Sequence, residues 1–172
     1  MATETQQQEF KPEVPQKEHE FLKKLAGNWQ VESECFMGPD QPPSRSVGRE
    51  RVRLLGGLWA VCEMEGEVPG GGVAQNLLTI GYDPQKKCYV GSFVSSVMTH
   101  QWVYENGSLN AEGDTLTLYA EGPNMCGGSG MTKFKDVIEF KSENERTLTG
   151  NMLRDEGGWQ QIMTATYRRV SK

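Results

Sequence analysis

Met98, His100, Trp102 and Tyr104 recur at every second position of the segment MTHQWVY, so a strand would place all four on one face. Such a row suits a ligand cavity: Met adapts its shape to varied apolar molecules, the rings give rigid walls, and the His and Tyr tips fix orientation by hydrogen bonds. Met64, Met163 and Tyr167, from other strand-like runs, are expected to complete the lining. The same row reads also as barrel core, or as an exposed aromatic ladder with a satisfied His100, and for His100 this plainer reading is favoured, because a lone His does not by itself identify a site. The expected ligand is a small apolar or amphiphilic molecule with one polar or acidic group, held noncovalently without metal or cofactor. A protonated His100 would favour a carboxylate.

Charged residues on apolar faces are the second signal. Asp136 alternates with Phe134, Ile138 and Phe140; Glu50 with Val52 and Leu54; Arg154 with Leu148 and Met152. A buried charge must be paired, so one reading joins Glu50 or Asp136 to Arg154 inside the fold. The other places all three at strand ends or bulges, facing water. Three further functional classes stay open. An isomerase or hydrolase could use His100 with an inward carboxylate, although no GxSxG motif is present. His100 could bind haem. A protein-interaction module would be favoured by an exposed Trp59 or Tyr119.

The elements that must position these groups are short. From Asn28 onward the chain is a series of ten strand-like runs separated by Gly, Pro, Asn and Asp, which indicates an all-β unit. The economical closure is a single antiparallel barrel of about ten strands, whose interior is either filled by side chains or holds one small ligand. Asn106-Gly107, Asp83-Pro84 and Glu112-Gly113 read as turns. The stretches 38–46, 66–72 and 123–130 read as longer loops at one mouth of the barrel. QKEHEFLKKLAG, with Phe21, Leu22 and Leu25 on one side, reads as a short helix covering an end or edge, with His19 on its solvated face. Residues 1–14 are poor in apolar groups and read as a flexible tail, leaving 15–172 as the barrel domain.

Composition restricts the partners. The formal net charge of −5 argues against nucleic acid, which requires a basic face. No apolar run approaches the roughly 18 residues that span a bilayer, and the polar N-terminus is unlike a signal peptide, so the expected location is cytoplasmic with no membrane partner. A homodimer stays open. Cys35, Cys62, Cys88 and Cys126 lack metal-ligand spacing; the first three are expected in or near the core and Cys126 at the surface.

The ordered series LAGNW, LLGGLW, IGYDP, YVGSFVSSVMTHQWVYENGSL, GDTLTLYAEGP, KDVIEF and a terminal YRR resembles the domain-of-unknown-function family numbered 1579. The resemblance implies a calycin-like barrel and no established activity. Gly27-Asn28-Trp29 is similar to the Gly-x-Trp that closes the base of lipocalin-like barrels. The haem-binding nitrobindins are a looser comparison, and their Gly-rich haem signature is missing here. Members of family 1579 often carry Asp where this chain has Ser95.

If the first 14 residues are a tail, deleting them should leave the thermal unfolding midpoint within a few degrees of the full chain; a large drop would show that they pack on the barrel.

Overall fold

A computed structural model describes residues 10–36, 38 and 40–172. Residues 1–9 of the expected tail, Met37 and Pro39 lie outside the described residues. A 3-10 turn (Lys17–His19) runs into α1 (Glu20–Leu25). The described residues then form ten strands: β1 (Gly27–Cys35), β2 (Ser44–Leu55), β3 (Trp59–Glu67), β4 (Val73–Asp83), β5 (Cys88–Ser95), β6 (Met98–Leu109), β7 (Thr115–Pro123), β8 (Met131–Ser142), β9 (Glu145–Leu153) and β10 (Trp159–Ser171). Each pairs antiparallel with its sequence neighbour, and β10 pairs with β1, closing a barrel. Closure removes the free edges that an open sheet would leave. No helix among the described residues is long and apolar enough to cross a membrane.

Antiparallel order sorts the connections. Those after odd-numbered strands, at 36–43, 68–72, 96–97, 124–130 and 154–158, share one end, the mouth. This end gathers the three loops expected there. The connections after even-numbered strands share the other end, the base, together with α1. Phe21, Leu22 and Leu25 are fully buried there, and Phe21 meets Tyr89 and Phe140 edge-on. The Tyr89 hydroxyl donates to the Glu18 carbonyl at 2.6 Å. Arg169 holds the end of α1, donating to the carbonyls of Lys24 (2.8 Å) and Ala26 (2.5 Å). These are the orphan carbonyls that every helix C-terminus leaves. Trp29 lies under this lid at 1% exposure, and its indole N–H donates to the Leu25 carbonyl at 2.8 Å.

The structure corrects three local expectations and shows one irregularity in β10. His19 is buried, not solvated: its Nδ1 accepts the Gln16 N–H at 2.9 Å and its ring meets Tyr82 edge-on. The 3-10 turn ahead of α1 rotates it inward. Asn106-Gly107 is not a hairpin but an irregularity inside β6, with Asn106 at φ 57°. A side chain at Gly107 would strike the Tyr89 carbonyl at 2.8 Å, so the site takes the residue without one. An irregularity between Gln161 and Met163 puts Gln160 and Met163 both inward and turns Trp159 and Gln161 outward. Cys35 ends β1 at the mouth and is exposed, while Cys62 is buried.

Trp29 joins strand, lid and barrel floor, so replacing it with Ala should cost about 3–5 kcal/mol in urea unfolding; a loss near zero would contradict its role as the floor.

Candidate functional site

Alternation settles which face is inward. All of Met98, His100, Trp102 and Tyr104 face the lumen from β6, Met64 from β3, and Met163 and Tyr167 from β10. They do not converge on one spot. Tyr167 lies deep, against the base; its hydroxyl points to the Met64 sulfur at 3.8 Å. Trp102 and Tyr104 are buried at mid-height, and Met98 and His100 are half-buried near the mouth.

Two polar centres occupy the interior, at different levels. In the lower one, Arg146 of β9 donates to the Glu50 carboxylate of β2; both are nearly inaccessible. The guanidinium carbon lies 3.8 Å from the Tyr167 ring centroid and 4.8 Å from that of Trp29. Burial pushes the Glu50 carboxyl up and the Arg146 charge opposes that shift. Burial likewise pushes the Cys62 thiol well up, so it stays protonated. Arg154, the expected partner, lies outside at the mouth, bonded to Gln160 at 3.1 Å. Arg146 has the same strand parity as Arg154, so alternation alone offered both. What separates them is height: Arg146 pairs with Phe140 near the base, whereas Arg154 lies beyond the end of β9.

The upper centre is Asp136 of β8 with Tyr104. The Tyr104 hydroxyl donates to Oδ2 of the carboxylate. Asp136 pairs across the sheet with Leu118 and Gly150, all three inward. Burial pushes its carboxyl up to about 6, with the Tyr104 hydrogen bond pulling the other way. The same environment, beginning with burial, raises the Tyr104 phenol well above its ordinary range, so it remains a donor. One level toward the mouth, Trp102 packs edge-on against Phe134 (centroids 4.5 Å) and His100 (4.9 Å). Its six-membered ring covers Gly122, where a Cβ would fall 2.1 Å from the indole. The Trp102 N–H is buried without a partner among the described residues.

His100 Nε2 lies 3.0 Å from the Glu121 carbonyl. A carbonyl only accepts, so Nε2 carries a proton in this contact. His100 therefore has a backbone partner, and the buried carboxylates are held by Arg146 and Tyr104 instead; the expected His–carboxylate acid–base pair is not assembled. Among the described residues no cluster of three or more His, Cys, Asp or Glu is placed to hold a metal.

The lumen is filled unevenly. Around the base, Ile80, Leu116, Ile138 and Ala60 are sealed, while Leu54, Tyr82, Leu109 and Phe140 at its rim are partly buried. Toward the mouth, Met64, Leu78, Phe93, Met163 and Asp136 point inward yet keep accessible surface, as do Ser33, Ser46, Asn76 and Ser95. Two concavities lie on the outer wall. One, about 970 Å³, crosses β1–β5 over Arg49, Arg51, Glu63, Glu65, Leu77 and Val94. The other, about 300 Å³, lies over Trp59, Thr79 and Val103. Trp59 and Tyr119 are 37% and 39% exposed on this wall.

The profile of a family described as a protein of unknown function, DUF1579, matches residues 14–169. This chain belongs to that family. No curated protein sequence matches it. Among solved structures it resembles the crystal structure of Rv2717c from M. tuberculosis at 13% identity, covering 91% of this chain and 99% of that one, with a TM-score of 0.57. That likeness shows a shared barrel fold. Weaker likenesses are to EF1p2_mFAP2b bound to DFHBI (14% identity, 89% and 99% covered, TM-score 0.48) and to a fluorescence-activating beta barrel designed de novo (11% identity, 86% and 95% covered, TM-score 0.47).

The raised Asp136 carboxyl fixes a pH dependence. Between its ordinary 3.8 and the folded value of about 6, the folded chain holds a proton that the unfolded chain has released. Stability should therefore fall as pH rises through that window, by up to about 3 kcal/mol, and level off above it. Asp136→Asn should flatten this segment of a urea-denaturation pH series; an unchanged slope would place the titration elsewhere.

Proposed function

We propose that this protein binds a small, mostly apolar molecule inside the barrel, entering at the mouth with its polar group at mid-height. The observation that carries this reading is the set of inward apolar side chains that stay accessible above a floor closed by the lid helix. The base is sealed by α1 and Trp29, while inward Met64, Leu78, Phe93, Met163 and Asp136 remain accessible above it. An apolar lining with few convergent polar groups is the usual make-up of a ligand site. Met98 and His100 would flank the entrance, Trp102 and Tyr104 would form the wall, and Tyr167 would lie in the floor. No step of chemistry is assigned to these residues.

The neutral fluorophore N-phenyl-1-naphthylamine offers a test. Its emission should rise on binding while tryptophan emission is quenched. His100→Ala and Trp102→Ala should each weaken binding severalfold in proteins whose circular dichroism is unchanged. Absence of binding, or binding by both variants as tight as by the unaltered chain, would refute the lumen site.

A protein-interaction role is the second reading, favoured by the exposure of Trp59 and Tyr119 on the outer wall. In that case, including a homodimer, Trp59→Ser would lower the sedimenting mass of the assembly and leave probe binding intact.

A further inference from the structure

We infer that Asp136, held by Tyr104, is the polar anchor of the lumen and selects ligands that present a protonated amine, or another hydrogen-bond donor, over carboxylates. This rests on the lumen-binding reading and adds the chemical class of ligand.

The first support is the absence of a counter-charge at that level. The salt bridges among the described residues do not include Asp136. The inward cation Arg146 is committed to Glu50. It stands four residues along β9 from Gly150, the residue paired with Asp136. At the usual strand rise of roughly 3.3 Å per residue, that is about 13 Å away. The groups facing Asp136 are Tyr104 from β6, Leu118 from β7, Gly150 from β9 and Met163 from β10. Of these only Tyr104 titrates, and it stays a neutral phenol. A carboxylate with one hydrogen bond and no cation lacks a partner that a ligand can supply.

The second support is that Asp136 is inward and mid-strand yet keeps accessible surface. Tyr104 donates to Oδ2, which leaves Oδ1 for an incoming donor. The carboxyl near 6 is ionised at neutral pH, so it repels an anion and attracts an ammonium group in a setting where water screens poorly. The third support is the partnerless indole N–H of Trp102, a side chain 8% exposed. It lies two residues, about 7 Å, nearer the mouth on β6. A buried N–H without an acceptor is costly, and a ligand acceptor one level above its amine would relieve it. Amino alcohols and amine-bearing amides with an apolar body meet both conditions.

The test uses N-phenyl-1-naphthylamine displaced by octylamine, octanol or octanoate at pH 7.5. Octylamine should compete at least tenfold better than octanoate, with octanol between them. In Asp136→Asn, which keeps an acceptor for the Tyr104 hydroxyl, this preference should vanish while octanol still displaces the probe. In wild type, octylamine affinity should fall about tenfold from pH 7.5 to 5 as Asp136 takes up its proton, and the fall should persist in His100→Ala; this measurement stands even if Asp136→Asn does not fold. Octanoate competing as well as octylamine, or an amine preference surviving in folded Asp136→Asn, overturns the anchor while leaving lumen binding intact. Failure of all three compounds to displace the probe, or of the probe to bind, overturns lumen binding and the anchor together.

Discussion

The buried contact between Glu50 and Arg146 is the constraint around which the barrel is arranged. Two opposite charges have been taken out of water, and their attraction offsets that cost only where geometry and packing are good. The barrel supplies close packing on both sides, while the buried Arg146 Nε–H has no acceptor among the described residues. Tyr167 offers the face of its ring to the guanidinium, and Trp29 lies beneath it. Trp29 in turn receives Arg169, 4.1 Å from its ring centroid, and Arg169 ties down the last carbonyls of α1. The interior pair, the floor and the lid are thus one connected structure. Removing either charge would leave the other stranded, which is far worse than never having had the pair.

A sealed base has a consequence for the other end. With α1 and Trp29 packed under the floor, Met64, Phe93, Met163 and Asp136 keep accessible inward surface above it, and the polar groups there are of a different kind. The lower centre is charge-balanced, whereas Asp136 has a phenol for company and no cation among the described residues. The first arrangement suits a structural role. The second leaves a carboxylate able to change its proton near pH 6 and to accept a further donor. On the outer wall, separately, Trp59 and Tyr119 are partly exposed.

Period-two patterning and turn chemistry made the fold legible in the sequence. Ten runs became ten strands, and the face carrying Met98, His100, Trp102 and Tyr104 turned inward because an apolar row on a half-polar sheet has only one stable orientation. The short helix and the buried Trp29 followed from local signals of the same type. Parity also marked Asp136 and Glu50 as unusual, because a charge on an apolar face must find a partner or water.

What parity cannot carry is height along the barrel. Arg146 and Arg154 have equal claims by alternation, and only strand stagger decides that one meets Glu50 while the other reaches solvent. The pairing of Tyr104 with Asp136 crosses an intervening strand, so no spacing announces it. Local irregularities act the same way: the extra residue near Ile162 exchanges which side chains of β10 face inward, and Asn106-Gly107 continues a strand where its composition signals a turn. His19 was moved from solvent to core by one 3-10 turn. The sequence by itself determined the ten strands, the short helix and the alternation that puts Met98, His100, Trp102 and Tyr104 on one face, since these depend on local periodicity. The tertiary structure alone decided which charges meet, which stay unpaired, and where the lumen is left accessible, since those depend on register between strands far apart in the chain.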